Sequence, residues 1–372
     1  MKKIAISDLD GFLGQHLRWF FLPLKEEIEI VPISKEMLQT SSPELQSLIK
    51  TSDAVVHLAA AHSRNTPNES DIYSTNLRFA HSLTDACDVV GATPHIIFAS
   101  SVQIHRDNPY GKSKKDVGEH FRTWSASRGA FATNLIIPHE FGEGGKPFDI
   151  SFVSTFCHQL ARGETSEVSP DAKVSLIYGQ DIARAVYEAI QHPVNEDKEL
   201  LGTEMTVAQI YSIVSEQYAK YSADIVPHLP SALHTALFNT LRYHLWENGF
   251  YPRMLQLKSD ERGSLFEMVK EHTGGQTFVS TTKPDKTRGN HYHTRKIERF
   301  CVLEGTATIR LRKILDDKVF SFEVSGESPQ YIDMPTFMTH NISNTGKSDV
   351  TTAFWCNEIF DSSDSDTYQL PV

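Results

Sequence analysis

Cysteine and long apolar runs are both scarce in this sequence. Its 372 residues contain four cysteines, Cys87, Cys157, Cys301 and Cys356, and none of them forms a CxxC pair. This spacing argues against a disulfide framework and against a zinc ribbon. No stretch approaches the roughly 18 uninterrupted apolar residues of a membrane helix, and the amino-terminal segment reaches Asp8 after a few apolar residues, unlike a secretory signal. We therefore expect a cytoplasmic protein that does not span a membrane.

Positive charge is also in deficit. Lys and Arg number 36 against 47 Asp and Glu, which gives a formal net charge of −11. Such a balance provides no broad electrostatic attraction to nucleic acid or to anionic lipid, so neither is an expected partner. The apolar fraction of 40% and the charged fraction of 22% are ordinary for globular proteins. The length itself favours two or three domains.

Residues 1–245 alternate short apolar runs with longer helical patterns. The helical patterns include Asn76–Val90 and Ser113–Ser127. The runs that read as strands are Lys3–Ser7, Glu29–Ile33, Ala54–Ala59, His95–Ser100 and Thr133–Pro138. This alternation predicts an α/β, doubly wound parallel sheet with helices on both faces.

After about residue 250 the pattern changes to short strands separated by turn residues. These strands are Gln276–Thr282, Glu298–Leu303, Thr306–Leu311, Phe320–Val324 and Thr351–Cys356. They predict an antiparallel all-β sandwich or barrel over residues 250–372. The segment Arg242–Pro252 is the expected boundary between the two domains.

The first predicted strand leads into a glycine-containing turn and then a helix. Gly11, Phe12, Leu13 and Gly14 occupy the places of a GxxGxxG dinucleotide loop, with Asp8 where the first glycine normally stands. Glycines there allow backbone N–H groups to approach a pyrophosphate. Asp can adopt left-handed backbone angles, but its carboxylate would repel a phosphate.

The stretch Asp8-Leu-Asp10-Gly11 has a second interpretation. A DxDG sequence after an apolar strand is typical of haloacid-dehalogenase phosphatases, in which the first Asp attacks phosphate and the second protonates the leaving group. Phe12 stands where those enzymes usually have Thr, and no convincing downstream acidic metal motif follows.

Other segments favour the dinucleotide interpretation. The run from Asp53 through His57, Leu58, Ala59 and Ala60 resembles the DxVxHLAA strand of extended short-chain dehydrogenases, and the sequence then presents Ser100 and Ser101 before a YxxxK pair, Tyr110 and Lys114. Residues four apart share a helix face, so Lys114 is expected near the Tyr110 hydroxyl, where its charge would lower the pKa of the phenol. An exposed helix face is the plain alternative for that pair.

The resemblance to short-chain dehydrogenases implies catalytic roles for these residues. Tyr110 would exchange a proton with the substrate oxygen, and Ser101, or alternatively Ser100, would hydrogen-bond the same oxygen while a nicotinamide exchanges hydride with carbon. Ser34 and Lys35, rather than an acidic residue, follow the second strand, which favours NADP over NAD.

The carboxy-terminal half contains a histidine-rich cupin motif. His291 and His293 are followed by Glu298 and Gly305, and His340 stands in a P-x-F-x2-H-x3-N segment. Alternation along a strand would place His291 and His293 on one face, where Glu298 and His340 can join them. Three imidazoles and a carboxylate suit a divalent transition metal, with zinc the first expectation, although nickel, iron and manganese fit equally by spacing. The alternative is a set of polar surface histidines.

Two segments of this half also resemble deoxysugar epimerases built on the same barrel: Arg288-Gly-Asn-His291, and Asp260 through Ser264. Such enzymes remove a proton beside a keto group and return it to the opposite face. A histidine that binds metal cannot also be a free base, so another histidine or Tyr292 is a candidate base.

The order of the two halves resembles the bifunctional capsular-polysaccharide enzymes of the CapF/WbjC family over nearly the whole chain. The matching segments are Asp107–Lys114, Phe156-Cys157 with Ala161-Arg162, Asp260–Gly263, Gly289–His293, Thr339–Ile342 and Trp355–Glu358. The resemblance implies a homodimer that epimerises a UDP-linked 4-keto-6-deoxy-N-acetylhexosamine. It also implies reduction of that ketone with NADPH to a UDP-N-acetyl-6-deoxytalosamine-type sugar.

Three positions depart from the family pattern. Asp8 replaces the first loop glycine, Ile136 stands where the family tends to have Arg, and His139 stands where it tends to have Asn. Two hypotheses therefore stand: a working reductase with an attached epimerase, and a metal-binding cupin whose amino-terminal domain is a noncatalytic scaffold.

Overall fold

The structure is a computed structural model that describes residues 1–63, 66, 68–149, 151–255, 258–260, 263–265, 268–269, 275–358 and 360–372, with the backbone alone at 258–260 and 263–265. The described residues form two compact units. The first comprises Met1–Ser151 and Ala172–Thr206, and the second comprises Phe152–Asp171 and Val207–Val372. In this division the segments 152–171 and 207–245 belong to the second unit. The domain ranges 1–245 and 250–372 stay a prediction.

The first unit alternates strands and helices. The strands as far as residue 206 are β1 (Lys2–Ser7), β2 (Ile28–Ile33), β3 (Ala54–His57), β4 (His95–Ser101), β5 (Ala132–Ile137), β6 (His139–Phe141), β7 (Lys173–Tyr178), β8 (Glu196–Glu199) and β9 (Thr203–Thr206). The helices of the same stretch are α1 (Phe12–Phe21), α2 (Lys35–Thr40), α3 (Pro43–Lys50), α4 (Glu69–Val90), α5 (Pro109–Arg128), α6 (Phe152–Ala161) and α7 (Gly179–Gln191), of which α6 belongs to the second unit. Short 3₁₀ helices lie at Leu22–Leu24 and Val102–His105.

Hydrogen bonding orders the main sheet as β2-β1-β3-β4-β5-β8, with every pair parallel. Alternate residues of each strand enter different cores: Ile4 and Ile6 pack with helices α1 and α7, whereas Ala5 packs with α3 and α4. The predicted parallel sheet with helices on both faces is confirmed. A small separate sheet has the order β6-β7-β9. In a parallel sheet the carboxyl ends of the strands share one edge, and that edge carries the residues that follow β1, β3, β4 and β5.

The second unit combines helices with an antiparallel β fold. Its further helices are α8 (Val207–Ser222) and α9 (Ala232–Glu247). Its strands are β10 (Arg253–Met254), β11 (Lys258–Asp260), β12 (Gly263–Leu265), β13 (Gln276–Thr282), β14 (Thr287–Tyr292), β15 (Glu298–Glu304), β16 (Thr306–Lys313), β17 (Val319–Ser325), β18 (Gln330–Met334), β19 (Met338–Asn344), β20 (Val350–Cys356) and β21 (Tyr368–Gln369). The expected boundary segment Arg242–Pro252 begins inside α9.

Two described sheets, β10-β18-β15-β20-β13 and β17-β16-β19-β14-β21, are antiparallel throughout. Inward residues of several of these strands, including Phe300, Ile309 and Ile342, form one core cluster. The predicted all-β carboxy-terminal fold is therefore confirmed. Helix α9 packs on it: Trp246 meets Phe320 edge-on with ring centroids 4.2 Å apart, and Lys313 Nζ lies 2.7 Å from Glu247 Oε1.

Among the helices of the described residues, none is both long enough and apolar enough to cross a bilayer.

Candidate active sites

The predicted dinucleotide loop follows β1 and leads into α1. Asp8 adopts a left-handed conformation with φ 57°, and its carbonyl oxygen accepts a hydrogen bond from the Gly11 N–H at 3.0 Å. A Cβ at Gly14 would overlap the Asp8 carbonyl and the Leu9 backbone, so only glycine allows α1 to lie this close to the end of β1. The loop therefore keeps the turn of a dinucleotide fold with Asp in the first glycine place.

The Asp8 carboxylate lies over Gly11. A Cβ at Gly11 would overlap Asp8 Oδ2 and would lie 2.9 Å from Asp8 Cγ. The same carboxylate forms an ion pair with Lys35, in which Nζ and Oδ1 are 3.5 Å apart. Asp10 instead pairs with Arg18 at 2.9 Å. Because the two aspartates make separate ion pairs, their geometry does not favour the phosphatase interpretation.

Other predicted cofactor positions lie at the same sheet edge. Leu58, Ala59 and Ala60 follow β3, and the buried Ser7 hydroxyl at the end of β1 accepts hydrogen bonds from the Leu58 and Ala59 N–H groups, both at 2.9 Å. Sequence reasoning missed Ser7, which fixes the Leu58–Ala60 segment beside the loop. Phe12 and Leu13 begin α1. Ser34 caps α2 by accepting from the Met37 N–H at 3.3 Å, and Lys35 follows it.

Helix α5 positions Tyr110 and Lys114. Asn108 caps the helix, its Oδ1 accepting from the Gly111 N–H at 2.7 Å. Lys114 is buried, and its ammonium donates to the Ala99 carbonyl at 2.6 Å and lies 5.6 Å from the centre of the Tyr110 ring. The end of β4 thus holds the ammonium over the Tyr110 ring, and its proximity to the Tyr110 hydroxyl stays a prediction.

The net shift of the Tyr110 pKa is upward, opposite to the lowering expected from the Lys114 charge alone. Burial raises the pKa of the half-buried Tyr110, and the charge of Glu140 raises it further. Burial lowers the pKa of Lys114 to about 8, opposed by the charges of Glu140 and Asp8. The desolvation of the phenol therefore outweighs the ammonium, and Tyr110 is protonated at neutral pH.

Glu140 is a third ionisable group of this centre that sequence reasoning missed. It lies on β6, just beyond the end of β5, and burial raises its pKa to about 7 against the opposing charge of Lys114. The sequence signal was an acidic residue two positions after the apolar run that ends at Pro138. The neighbouring departures Ile136 and His139 lie on β5 and β6 respectively.

Ser101 ends β4, and its hydroxyl accepts from the Gln103 N–H at 3.2 Å, whereas the alternative Ser100 is buried. Asn76, also missed by sequence reasoning, connects α4 to this region. Its side-chain amide donates to the Ser113 hydroxyl at 2.8 Å, and that hydroxyl donates to the Tyr110 carbonyl at 2.7 Å. The first turn of α5 is therefore braced from α4.

The second unit brings together all four predicted metal ligands. The donor atoms of His291, His293, Glu298 and His340 lie within 4.8 Å of one another. From Glu298 Oε2, the Nε2 atoms of His293, His340 and His291 lie at 3.0, 3.4 and 4.0 Å. The pairing of His291 with His340 between β14 and β19 sets this convergence.

Backbone carbonyls fix the orientation of two imidazoles. His293 Nδ1 lies 2.6 Å from the Asp366 carbonyl, and His340 Nδ1 lies 3.2 Å from the Met338 carbonyl. A carbonyl can only accept, so each Nδ1 carries a hydrogen and the neutral ring presents the Nε2 lone pair to the cluster. Both Nε2 atoms are buried and face Glu298 Oε2, at 3.0 Å from His293 and 3.4 Å from His340. Lone pairs converging on a carboxylate fit a bound cation.

The pKa shifts within the cluster differ from one member to the next. Burial lowers the pKa of His340 to about 4, so this ring is neutral at physiological pH. Burial also opposes ionisation of Glu298, but hydrogen bonds from the three histidines hold its pKa well below the usual value. For His293, burial lowers the pKa, but the hydrogen bond to Glu298 and the charge of Glu298 outweigh burial and raise it. Phe337, the F of the P-x-F-x2-H-x3-N segment, takes φ 58°, a left-handed conformation that glycine adopts most readily.

The candidate epimerase base Tyr292 is buried and stacks on Tyr368, with ring centroids 5.2 Å apart. Burial raises its pKa, which disfavours a phenolate at neutral pH. Of the epimerase-like segment Asp260–Ser264, Glu261 and Arg262 lie outside the described residues, and no side chain of the segment is described.

Two known families match different parts of the chain. Residues 10–203 match the NAD dependent epimerase/dehydratase family, which is more than half of the sequence. Residues 258–368 match the polysaccharide biosynthesis C-terminal domain.

Two of the known proteins that resemble this chain match its whole length, and a third matches part of it. A protein named UDP-2-acetamido-2,6-beta-L-arabino-hexul-4-ose reductase, from Pseudomonas aeruginosa, is 29% identical over 100% of this chain and 99% of its own length. The crystal structure of the capsular polysaccharide assembling protein CapF from Staphylococcus aureus is 30% identical, covers 100% of both chains and has a TM-score of 0.63. The structure of RMD from Pseudomonas aeruginosa complexed with NADPH covers 66% of this chain and 98% of its own, with 16% identity and a TM-score of 0.56, which shows the fold alone.

These matches agree with the site geometry and with the predicted order of the two halves. They cover both the dehydrogenase-like half and the cupin half of one chain. The chain therefore belongs to the NAD dependent epimerase/dehydratase family and, over its full length, to the CapF family of bifunctional capsular polysaccharide enzymes, as an NAD(P)-dependent sugar-nucleotide reductase/epimerase.

Proposed function

We propose that this enzyme converts a UDP-linked 4-keto-6-deoxy-N-acetylhexosamine in two steps. The cupin half epimerises a carbon beside the ketone, and the reductase half then reduces the ketone to give a UDP-N-acetyl-6-deoxytalosamine-type sugar. The observation that carries the proposal is the presence of a Tyr110–Lys114 pair and a His–Glu cluster in one chain. A full-length relative named as a reductase of a UDP-linked hexul-4-ose supports it.

In the reductase half, Tyr110 is the proton donor. Burial and the Glu140 charge raise the pKa of its phenol, so the hydroxyl holds its proton until the ketone oxygen becomes negative during reduction. Lys114, anchored on the Ala99 carbonyl, supplies positive charge beside the Tyr110 ring. Ser101 lies at the end of β4 and hydrogen-bonds the same substrate oxygen.

NADPH is the proposed cofactor, and when bound it supplies the hydride. The residues proposed to line its site are Asp8, Gly11, Phe12, Leu13, Gly14, Ser34, Lys35, Leu58, Ala59, Ala60, Tyr110 and Lys114. The close packing at Gly14 and the Ser7 hydrogen bonds to the Leu58–Ala60 segment support a cofactor cleft at this edge. A lysine after β2, where an acidic residue would bind ribose hydroxyls, supports the phosphorylated form.

In the cupin half, His291, His293, Glu298 and His340 are the proposed ligands of one divalent cation, with zinc the first choice. Such an ion would polarise a carbonyl oxygen and acidify the adjacent C–H bond. Tyr292 is better suited to return a proton than to remove one, because burial keeps its phenol protonated. We further propose that the enzyme acts as a homodimer.

The order of the steps follows from their chemistry. Epimerisation needs the ketone that acidifies its neighbouring C–H bond, and reduction removes that ketone. Incubation of the enzyme with candidate UDP-4-keto sugars in heavy water, with and without NADPH, separates the two reactions. We expect deuterium incorporation without NADPH and an alcohol product only with it. Reduction without any deuterium exchange would contradict the epimerase step, and exchange without reduction would contradict the reductase step.

A further inference from the structure

The dinucleotide loop contains a carboxylate, that of Asp8. The Asp8 carboxylate lies over Gly11, where the absence of a side chain would otherwise expose the loop backbone to a phosphate. The left-handed conformation of Asp8 and the hydrogen bond from the Gly11 N–H to its carbonyl hold the residue in this turn. The carboxylate thus fills space that the glycine leaves open.

The carboxylate is also paired. Lys35 Nζ lies 3.5 Å from Asp8 Oδ1, and the two side chains are 49% and 37% exposed. Both groups are therefore reachable from solvent while they neutralise each other. The charge of Asp8 also reaches the catalytic centre, where it opposes the lowering of the pKa of Lys114.

We propose that Asp8 and Lys35 form a charge pair that limits the affinity of the enzyme for NADPH, because the pair must be rearranged before a phosphate can take the place of the carboxylate. This inference rests on the proposed NADPH-dependent function and adds a specificity-determining role for two residues. In the free enzyme Lys35 is engaged by Asp8, so it is only partly available to a 2′-phosphate. Asp8 therefore lowers affinity in two ways: it repels the dinucleotide phosphates, and it competes for the lysine.

The two effects of Asp8 predict a specific coupling between the residues. Asp8→Asn removes the charge and keeps a residue that tolerates left-handed angles, so the loop is preserved. It should tighten NADPH binding more than NADH binding, because it frees Lys35 for the extra phosphate. Lys35→Met should have little effect in the wild type and a large effect in the Asp8→Asn background.

Isothermal titration calorimetry of the full-length protein with NADPH and with NADH tests this coupling in a double-mutant cycle. We expect Asp8→Asn to tighten NADPH binding by about fivefold or more, and Lys35→Met to reverse that gain in the double variant, since couplings between sites commonly amount to about fivefold or more. Asp10→Asn is the matched control, because Asp10 is 95% exposed and pairs with Arg18 in the same loop region. It removes the same charge and should leave both affinities unchanged.

The outcomes separate this inference from the function on which it rests. If the wild type binds NADPH and Asp8→Asn leaves that affinity unchanged, the charge-pair proposal is overturned and the reductase proposal stands. Equal effects of Asp8→Asn and Asp10→Asn, or additive effects of Asp8→Asn and Lys35→Met, also overturn it. If none of the variants binds either nucleotide, both proposals fail. Circular dichroism and thermal unfolding of each variant report whether the fold is intact.

Discussion

Two residues take the backbone conformation of a motif glycine without being glycine. Asp8 has φ 57° and Phe337 has φ 58°. Left-handed angles are common for Asp but unusual for a bulky residue such as Phe, and they cost about 1–3 kcal/mol. At Phe337 the conformation is fixed by hydrogen bonds from its N–H to His293 at 2.8 Å and from Ile314 to its carbonyl at 3.0 Å. Burial of the phenyl ring offsets a cost of this size, since a fully buried side chain contributes about 1.5–3 kcal/mol.

The pKa of Glu140 is shifted far enough by the fold for its effect on stability to be measured. Burial raises its pKa from 4.5 to about 7. The protonated form is therefore favoured in the folded state, and the stability it contributes is present below pH 4.5 and is lost as the pH rises to about 7. Glu140→Gln stays neutral at every pH. The stability of this variant relative to the wild type should therefore rise by about 3 kcal/mol between pH 4.5 and 7, measured by urea unfolding.

An exposed carboxylate provides the comparison for that experiment. Glu196 lies on β8 with its side chain in solvent, so Glu196→Gln makes the same substitution at an exposed position. A difference between Glu140→Gln and the wild type that does not vary with pH would show that the Glu140 carboxyl ionises normally in the folded enzyme.

At the scale of elements, helix α5 depends on its amino-terminal cap. Asn108 Oδ1 holds the Gly111 N–H at 2.7 Å, and Tyr110 lies in that first turn. Asn108→Ala should lower the free energy of unfolding by about 1 kcal/mol and slow ketone reduction, because the turn that positions the phenol loses its cap. Urea unfolding and steady-state turnover measure the two effects.

Asn108→Asp distinguishes the loss of the helix cap from other effects of removing the Asn108 amide, since its carboxylate accepts the same hydrogen bond. Recovery of stability and turnover in this variant supports the capping role. If Asn108→Asp is as slow as Asn108→Ala, the Asn108 amide has another role in reduction.

The strands of the second unit show how an element can gather ligands that are distant in sequence. His291 lies on β14, Glu298 begins β15 and His340 lies on β19. A bulge between Gly289 and His291 changes the register of β14 against β19 just before the ligands. His293 falls one residue beyond β14 and joins His291 in the cluster, and the Asp366 carbonyl orients its ring.

At the scale of the whole molecule, one chain carries two chemical centres that should respond separately to substitution. Elemental analysis should find about one transition metal per chain, as the four donor groups of the cupin centre suggest. His340→Ala should lose the metal and the proton exchange while retaining NADPH binding. Tyr110→Phe should lose reduction while retaining metal and proton exchange.

The two variants serve as controls for each other. A wild type without metal, and as stable after treatment with a chelator as before, would contradict the ligand assignment. Loss of NADPH binding in His340→Ala, with the fold intact by circular dichroism, would contradict the separation of the two centres.

Much of the fold and of both centres was readable from local sequence. The observed β1 to β5 and β13, β15, β16, β17 and β20 coincide closely with the predicted runs, because apolar periodicity directly encodes which face of a strand is buried. No predicted run corresponds to β14, β18 or β19. Helix α4 is longer than predicted, since Glu69–Thr75 is polar and lacks a clear apolar repeat. The YxxxK pair and the His-rich motif were identifiable because their members are close in sequence.

The sequence by itself therefore determined the fold class, the family and the candidate catalytic and ligand residues. Only the tertiary structure decided the burial that raises the pKa of Tyr110, the inclusion of Glu140 and the direction of the Asp8 carboxylate. Each of these depends on desolvation and on charges contributed by segments distant along the chain. Such long-range terms leave no local periodicity, so they become visible only when the folded chain brings the groups together.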